Sequence, residues 1–336
     1  MRTALILLAC AVVLVACEEG APRPTDPPPT TTGTVSTTAQ DLVDLSYSFE
    51  PGEVLFYDVE LDQRMSVTTE GDSEAADMPA GADLTVRGAG QFSYEVSAGP
   101  REGTHRLTIT GEFSDLSVEG TLDGEPVDDP AEAGDLGIGQ PVAGEIVVDG
   151  QGRPVDSEPE SELAVAEISA DLARFPGPVL PSHPVSIGEN WEVSHSETAL
   201  GSVPVETTVT GTIVGSETVD GAEALVVDTH SATSEGEVDL SAFYRDFLGG
   251  VGGEEAPTEA LQDIVFRILV DAGAGTTRAL LDRGTARVIQ ATREASNALT
   301  METALPDEAT GAPTTFDMRL ETEQSIVYRL ADATGG

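Results

Sequence analysis

Hydrophobic and polar residues alternate along much of the chain beyond residue 53, with the two-residue period of half-buried β-strands. The first run covers residues 53–67, the second covers 84–96 and the third covers 105–118. Two further runs, 288–301 and 315–330, close the chain. Because an antiparallel sheet commonly buries one face and exposes the other, this pattern predicts a mainly β fold built on a large, curved antiparallel sheet.

Short segments of the second half follow the same order as similar segments of the first half. The corresponding pairs are 52–57 with 188–193, 85–88 with 208–211, 106–109 with 224–227, and 146–150 with 279–284. One such match arises easily by chance, whereas four in the same order favour an internal duplication. We therefore expect two β-rich halves, residues 41–180 and residues 181–336.

Three other stretches show the spacing of amphipathic helices. Ser157 and Glu160 form a capping box at the start of the first. The second is short and contains Phe243 and Phe247. The third carries the apolar residues Ala260, Leu261, Ile264, Val265, Ile268 and Leu269. The sequence thus predicts a β-rich α+β protein with about three helices packed on one face of the sheet, the last two in an insertion at 240–272.

The stretch from Ala4 to Cys17 is apolar and follows a single basic residue, Arg2. It is too short to span a bilayer, which takes roughly 20 residues, but it suits the apolar core of a secretory signal peptide. Its last four residues, Leu14-Val15-Ala16-Cys17, resemble the lipobox of bacterial lipoproteins. That resemblance implies a signal peptide at 1–16, cleavage before Cys17, and diacylglycerol and a further acyl chain such as palmitate on this cysteine. The alternative is an ordinary signal peptide that contains a cysteine.

The following residues favour the lipobox interpretation. Residues 18–40 are rich in proline and threonine and lack apolar periodicity, so they cannot bury enough surface to offset their ordering entropy. We expect residues 17–40 to be a disordered tether that begins at the lipidated cysteine. Two acyl chains suffice for stable anchoring. The sequence therefore predicts an extracytoplasmic protein, anchored to the cell membrane through Cys17.

The amino-acid composition further restricts the classes of binding partner. Sixty acidic residues face sixteen basic ones, which gives a formal net charge of −44. Such a charge repels nucleic acid and the anionic headgroups of a membrane surface, so the membrane link must be the lipid anchor. Cys10 would leave with the signal peptide and Cys17 would be acylated, which leaves no thiol for a disulfide or a cysteine metal site.

The sequence contains no recognisable catalytic motif. It has no Gly-x-Ser-x-Gly elbow, no His-Glu-x-x-His and no phosphate-binding glycine loop followed by lysine. His183 and His195 flank Trp191, an arrangement more typical of surface histidines and a core tryptophan than of a metal site. We therefore expect no enzyme activity, no cofactor and no bound metal.

In outline, a curved sheet with helices on one face is similar to the half-barrel carriers of the bacterial envelope, which include lipoprotein carriers and mycobacterial glycolipid-binding lipoproteins. The resemblance is one of architecture alone. It implies an apolar ligand held between the sheet and the helices. The candidate ligand-binding residues are Phe243, Phe247, Leu261, Ile264, Val265 and Ile268. The alternative is a structural or interaction module of the cell envelope, with a closed core in the same place.

Overall fold

The alternating pattern of the sequence becomes a single antiparallel sheet. The computed structural model describes residues 42–71, 80–127, 142–155, 174–199, 203–242, 264–306 and 313–331. The strands in these residues are β1 (Val54–Gly71), β2 (Gly81–Ala98), β3 (Thr104–Leu122), β4 (Glu125–Val127), β5 (Val142–Asp149), β6 (Asn190–Ala199), β7 (Val203–Val219), β8 (Ala222–Thr233), β9 (Gly236–Asp239), β10 (Val265–Val270), β11 (Gly273–Asp282), β12 (Val288–Pro306) and β13 (Pro313–Leu330). The prediction of a mainly β protein with a large antiparallel sheet is confirmed.

The strand order shows how the two ends of the chain meet. The main path is β4-β3-β2-β1-β13-β12-β11-β8-β7-β6, so the first and last strands are neighbours at the centre of the sheet. β5 pairs with β3 beside β4, which places β5 at one edge and β6 at the other. β7 and β8 are joined by a short turn at the positive-φ pair Asp220-Gly221.

Burial divides the sheet into two faces. In β1 the buried residues are every second one, from Leu55 to Met65, and the residues between them are exposed or half-buried. The same alternation runs through β2, β7 and β13. We call the buried side the inner face and the exposed side the outer face. The outer face carries much of the charge, with cross-strand pairs such as Arg87–Asp62 (3.1 Å) and Arg278–Asp228 (3.1 Å). Exposed pairs of this kind contribute little stability each.

β10 and β11 lie end to end, and so do β8 and β9. In each pair a short break separates the two strands, and the two breaks lie at the same level of the sheet. β10 and β11 both pair with β12, and residues 271–272 separate them. Residues 234–235 separate β8 from β9 at the level of that break, because Gly273 lies opposite Thr233 and Val270 lies opposite Gly236. Aligned interruptions in neighbouring strands allow the sheet to bend along one line.

An extended segment, residues 42–50, crosses one end of the sheet, and we call it the strap. Its Tyr47 N–H donates to Gly150 O beyond β5 (2.8 Å), and its Ser48 N–H donates to Thr285 O between β11 and β12 (3.1 Å). Consecutive residues are about 3.8 Å apart, so the two acceptor oxygens lie within about 10 Å. Five strand spacings of about 4.8 Å separate β5 from β12 in a flat sheet, or roughly 24 Å. The sheet is therefore strongly curved, as predicted.

The prediction of about three helices is wrong for the described residues, where the chain is helical only at 241–242. The second half of the predicted long helix is strand β10. Phe266, Ile268 and Val270 are buried, and Arg267 between them is exposed. The helical spacing competed here with a strand alternation, and the β-branched and aromatic residues favour the strand. The predicted helices at 157–173 and 243–248 lie outside the described residues.

The four matched segment pairs occupy corresponding places in the sheet. β1, β2, β3 and β5 pair in that order, and so do β6, β7, β8 and β11. Gly52 and Gly188 precede the first strand of each set with φ values of 91° and 84°. Their N–H groups donate to Val96 O and to Ile213 O, both at 2.8 Å. Internal duplication itself, and the division at residue 180, stay predictions.

Candidate ligand-binding site

A band of polar side chains crosses the inner face midway along the central strands. We define the polar band as Gln63 on β1, Thr322 and Gln324 on β13, Arg293 and Asn297 on β12, Thr277 on β11, and Thr229 on β8. Five of its members are buried, at 4 to 9% exposure, and the side chains of Arg293 and Thr277 are half-buried. Each belongs to the same alternating set as the apolar inward residues of its strand.

Strand register makes these residues neighbours. Gln63 lies directly opposite Gln324, and Thr322 lies directly opposite Asn297. Arg293 is opposite Thr277, which is in turn opposite Thr229. Directly opposed residues on one face have Cβ atoms about 4.5–5.5 Å apart. Gln324 lies opposite Ala295 and is thus the diagonal neighbour of both Arg293 and Asn297, which links these groups into one polar band across five strands.

One hydrogen-bond acceptor of the polar band has no partner among the described residues. The side chain of Asn297 is 4% exposed, and its Oδ1 atom has no hydrogen-bond partner in the described part of the chain. Leaving a buried polar group unpaired costs about 1–3 kcal/mol. By contrast, the Thr229 hydroxyl donates to Thr277 O at 3.4 Å. A polar group from outside the described residues is therefore expected at Asn297.

Three tyrosines form the inner face on one side of the polar band. The rings of Tyr57 and Tyr94 meet edge to face at 5.4 Å, and those of Tyr57 and Tyr328 at 6.4 Å. The Tyr57 hydroxyl donates to Val288 O at 3.2 Å. Burial raises the pKa of Tyr94 well above its usual value, helped by Tyr328 and Tyr57, whereas the charge of Arg293 opposes the increase. The Arg293 guanidinium therefore interacts electrostatically with the Tyr94 hydroxyl.

On the other side of the polar band the inner face is apolar. We define the apolar end as Phe266, Ile268, Leu299, Met301, Met318 and Leu320, all of them buried. Met301 lies opposite both Met318 and Ile268, and Leu299 lies opposite Leu320. Methionine side chains are flexible and adapt to irregular partners. The paired methionines therefore give this apolar end adaptable side chains.

The structure places part of the predicted site at this apolar end. Ile264 and Ile268 are buried, at 1% and 3% exposure. Val265 is half-buried and lies in the opposite alternating set of β10, away from Ile268. The predicted residues Phe243, Phe247 and Leu261 lie outside the described residues.

Sequence reasoning missed the polar band. Its signal was present, because Gln63 stands between Leu61 and Met65 in the two-residue period of β1, and Gln324 precedes Ile326 in that of β13. A glutamine at a position that the alternation assigns to the interior is a buried polar residue. Such residues are uncommon and need partners.

The other candidate residues of the sequence give less support for a functional site. Trp191 is 3% exposed, and its indole N–H donates to Val179 O at 3.4 Å, as expected of a core residue. The described residues contain no group of three or more His, Cys, Asp or Glu side chains placed to hold a metal ion. Nor does any helix within them have the length and apolar character to cross a membrane.

No protein-family profile and no curated protein matches this chain. Among solved structures it is similar to lipovitellin, described with its lipid–protein interactions, at 11% identity and a TM-score of 0.34. That alignment covers 86% of this chain, which spans 27% of the lipovitellin chain. A DUF1329 family protein from Desulfovibrio piger aligns over 83% of this chain and 87% of its own, at 11% identity and a TM-score of 0.13. An outer membrane channel from Pseudomonas putida F1 aligns over 84% and 97%, at 8% identity and a TM-score of 0.17. Similarities this low assign neither family nor function.

Proposed function

We propose that this protein is a lipid-anchored, extracytoplasmic binding protein that holds an apolar ligand on the inner face of its sheet. The observation that carries the proposal is the polar band beside the apolar end. A core that served stability alone would gain nothing from buried glutamine and asparagine there, because burying polar groups costs free energy. A ligand with a polar and an apolar part gives both regions a role. The proposal assigns no reaction to the protein.

Ligand binding is tested by native mass spectrometry of the unacylated chain after export to the envelope and gentle purification. We expect an adduct of lipid mass that is lost on collisional activation. Ile268→Trp enlarges a buried side chain at the apolar end, so the adduct should fall several-fold. Val214→Trp is the matched control, because Val214 is 46% exposed, and it should leave the adduct unchanged. A single ligand-free mass for the parent chain would refute ligand binding.

The anchor is supported by the lipobox-like motif that ends at Cys17 and by the proline- and threonine-rich residues after it. Intact-mass analysis of the membrane-extracted protein should show an acylated N-terminal residue 17. Cys17→Ser should release the protein from the membrane fraction, since no second acylation site follows. A Cys17→Ser protein that stays bound after salt washing would contradict the anchor.

The second candidate function is a structural or interaction module of the cell envelope. It is favoured by the nearly complete burial of the inner-face aliphatic residues, for instance Leu299 at 0% and Met301 at 1% exposure. This alternative predicts no adduct in the experiment above. It also predicts that enlarging Ile268 only lowers stability, whereas a ligand site predicts loss of binding by a variant that still folds.

A further inference from the structure

We infer that the ligand is an anionic amphiphile with a hydrogen-bond donor between its charge and its tail. Its charged group lies against Arg293, its donor faces Asn297, and its tail lies on the apolar end. The inference rests on the proposed function and specifies the class of ligand. It follows from the order of side chains along one strand, from the surroundings of Arg293 and from the unused acceptor of Asn297.

The inner face of β12 has a polarity gradient. Its inward residues are, in order, Arg293, Ala295, Asn297, Leu299 and Met301. The chain thus passes from a positive charge through a small residue and an amide to two apolar side chains. Asn297 stands four positions beyond Arg293 in the strand, about 13 Å between Cα atoms. An amphiphile has its groups in the same order: a charged head, a polar linking group and an apolar tail.

Arg293 differs from the other strand arginines of the described residues, all of which stand on the outer face. Arg278 shows the contrast, because it lies one position along from Thr277, the residue opposite Arg293, yet it points outward to Asp228. A guanidinium on the inner face matches carboxylate and phosphate groups through paired N–H donors. Partial burial strengthens such contacts, because screening by water is weaker there.

The residues on one side of Arg293 are small. Its inward neighbours along β12 are Ala291 and Ala295. On β11, Ala279 lies opposite Ala291, and Gly275 lies opposite Ala295. On the β13 side the facing residues are larger, with Ile326 opposite Arg293 and with Gln324 and Tyr328 at the two flanking positions. The inner face beside Arg293 is therefore shallower towards β11 than towards β13, and we place the head group on the β11 side.

Asn297 provides the independent second observation. Its buried Oδ1 lacks a hydrogen-bond partner among the described residues and stands where the polar band meets the apolar end. An acceptor at that level requires a donor on the ligand, such as a hydroxyl between the charged group and the tail. An anion with a plain alkyl chain would leave this acceptor unsatisfied, at the cost of a buried unpaired group.

Two probes that differ by one phosphate group distinguish binding of the charged head group from binding of the apolar tail. 1-Palmitoyl-lysophosphatidic acid has a phosphate, a hydroxyl and one acyl chain, and 1-monopalmitoylglycerol lacks the phosphate. Binding to the mature Cys17→Ser chain is measured by calorimetry below the probes' micellar concentrations. We expect the phosphate probe to bind at least about ten-fold more tightly, as hydrogen bonds to a charged group imply. Arg293→Gln should reduce that preference to within about three-fold, while Arg278→Gln keeps it.

The outcomes distinguish this inference from the proposed function. Equal binding of both probes by the parent chain overturns the anionic head group but leaves an apolar site. A preference that survives Arg293→Gln overturns the role of Arg293. Failure of both probes to bind overturns the proposed function as well. If Arg293→Gln does not fold, Asn297→Asp replaces it, and its added carboxylate should weaken the phosphate probe at least about ten-fold more than the neutral one.

Discussion

Gln63 on β1 and Gln324 on β13 lie directly opposite each other on the inner face, at 5% and 9% exposure. β1 and β13 are the strands that join the first and last parts of the chain at the centre of the sheet. Their pairing places two amides among apolar neighbours. We assign these amides to the proposed binding site, where their contribution to stability is secondary.

The first prediction concerns this pair. Leucine is similar in size to glutamine but lacks the amide. Replacing both residues by leucine should therefore make the protein more stable by about 1–2 kcal/mol, whereas ligand binding should become weaker. Urea unfolding measures the first effect, and native mass spectrometry measures the second. The matched control is Thr207→Val with Thr233→Val, whose buried hydroxyls are 3.0 Å apart, and it should be nearly neutral for binding. A double leucine variant that lost several kcal/mol would show that the amides are structural.

The second prediction concerns the strap. The buried Tyr47 hydroxyl donates to Pro178 O at 2.6 Å, and the Tyr47 ring packs edge to face on Phe175 at 4.7 Å. Tyr47→Phe keeps the ring but leaves the Pro178 carbonyl without this donor, so we expect a loss of about 1–3 kcal/mol in urea. Ser46→Ala removes an exposed hydroxyl from the same strap and should change stability by less than about 0.5 kcal/mol. Equal effects of the two changes would contradict the assigned role of Tyr47.

The third prediction uses two glycines of β7. A Cβ atom at Gly211 would lie 2.3 Å from the Trp191 ring, whereas one at Gly215 would have no neighbour within 4 Å. Gly211→Ala should therefore lower stability by about 1–3 kcal/mol, as overpacking does. Gly215→Ala should be neutral or slightly stabilising. Thermal unfolding of both variants checks the contrast, and a tolerated Gly211→Ala would mean that Trp191 is not held against this strand.

The fourth prediction concerns pH. A hydrogen bond from the Thr285 hydroxyl to Asp282 Oδ1 (2.8 Å) lowers the pKa of the Asp282 carboxyl. The backbone N–H groups of Gly284 and Thr285 and the charge of Arg287 act in the same direction, and burial opposes them. A carboxylate whose folded pKa is depressed stabilises the protein above its unfolded pKa, about 3.9, and loses that effect as pH falls through the folded value.

Asp282→Asn keeps an acceptor but removes the charge. Its melting temperature should therefore be lower than that of the parent chain at pH 7, and the difference should shrink as the pH falls through the lowered pKa of folded Asp282. Glu95→Gln, an exposed change on β2, is the control and should show no such pH-dependent difference. A difference that persists undiminished in acid, where the carboxyl of Asp282 is protonated, would mean that the hydrogen bonds, and not the charge, hold this loop.

The long strands were predictable because each keeps one buried face over many residues. The hydrophobic alternation of Leu55 to Leu61 needs no distant partner to be recognised. Strand β10 was not predictable in the same way. Its six residues satisfy the spacing of a helix and of a strand alike, and its pairing with β12, a strand distant in sequence, decides between them.

The candidate site was predictable only in part for a related reason. The apolar end includes Ile268, which local hydrophobicity singles out. The polar band combines residues from five strands, and the position of Gln63 beside Gln324 depends on the register between the first and last long strands of the chain. Alternation shows that each residue is inward, but only the register shows that they form one strip.

The most direct test of ligand binding on the inner face is to locate a bound tail there. A palmitoyl lysophosphatidic acid with a diazirine at the tail end is bound to the mature Cys17→Ser chain, irradiated, and its attachment sites are mapped by peptide mass spectrometry. We predict that adducts concentrate at the apolar end, on Ile268, Met301 and Met318, and decline several-fold in Ile268→Trp. Adducts confined to the outer face or to residues 18–40, with none at the apolar end, would contradict a binding site on the inner face.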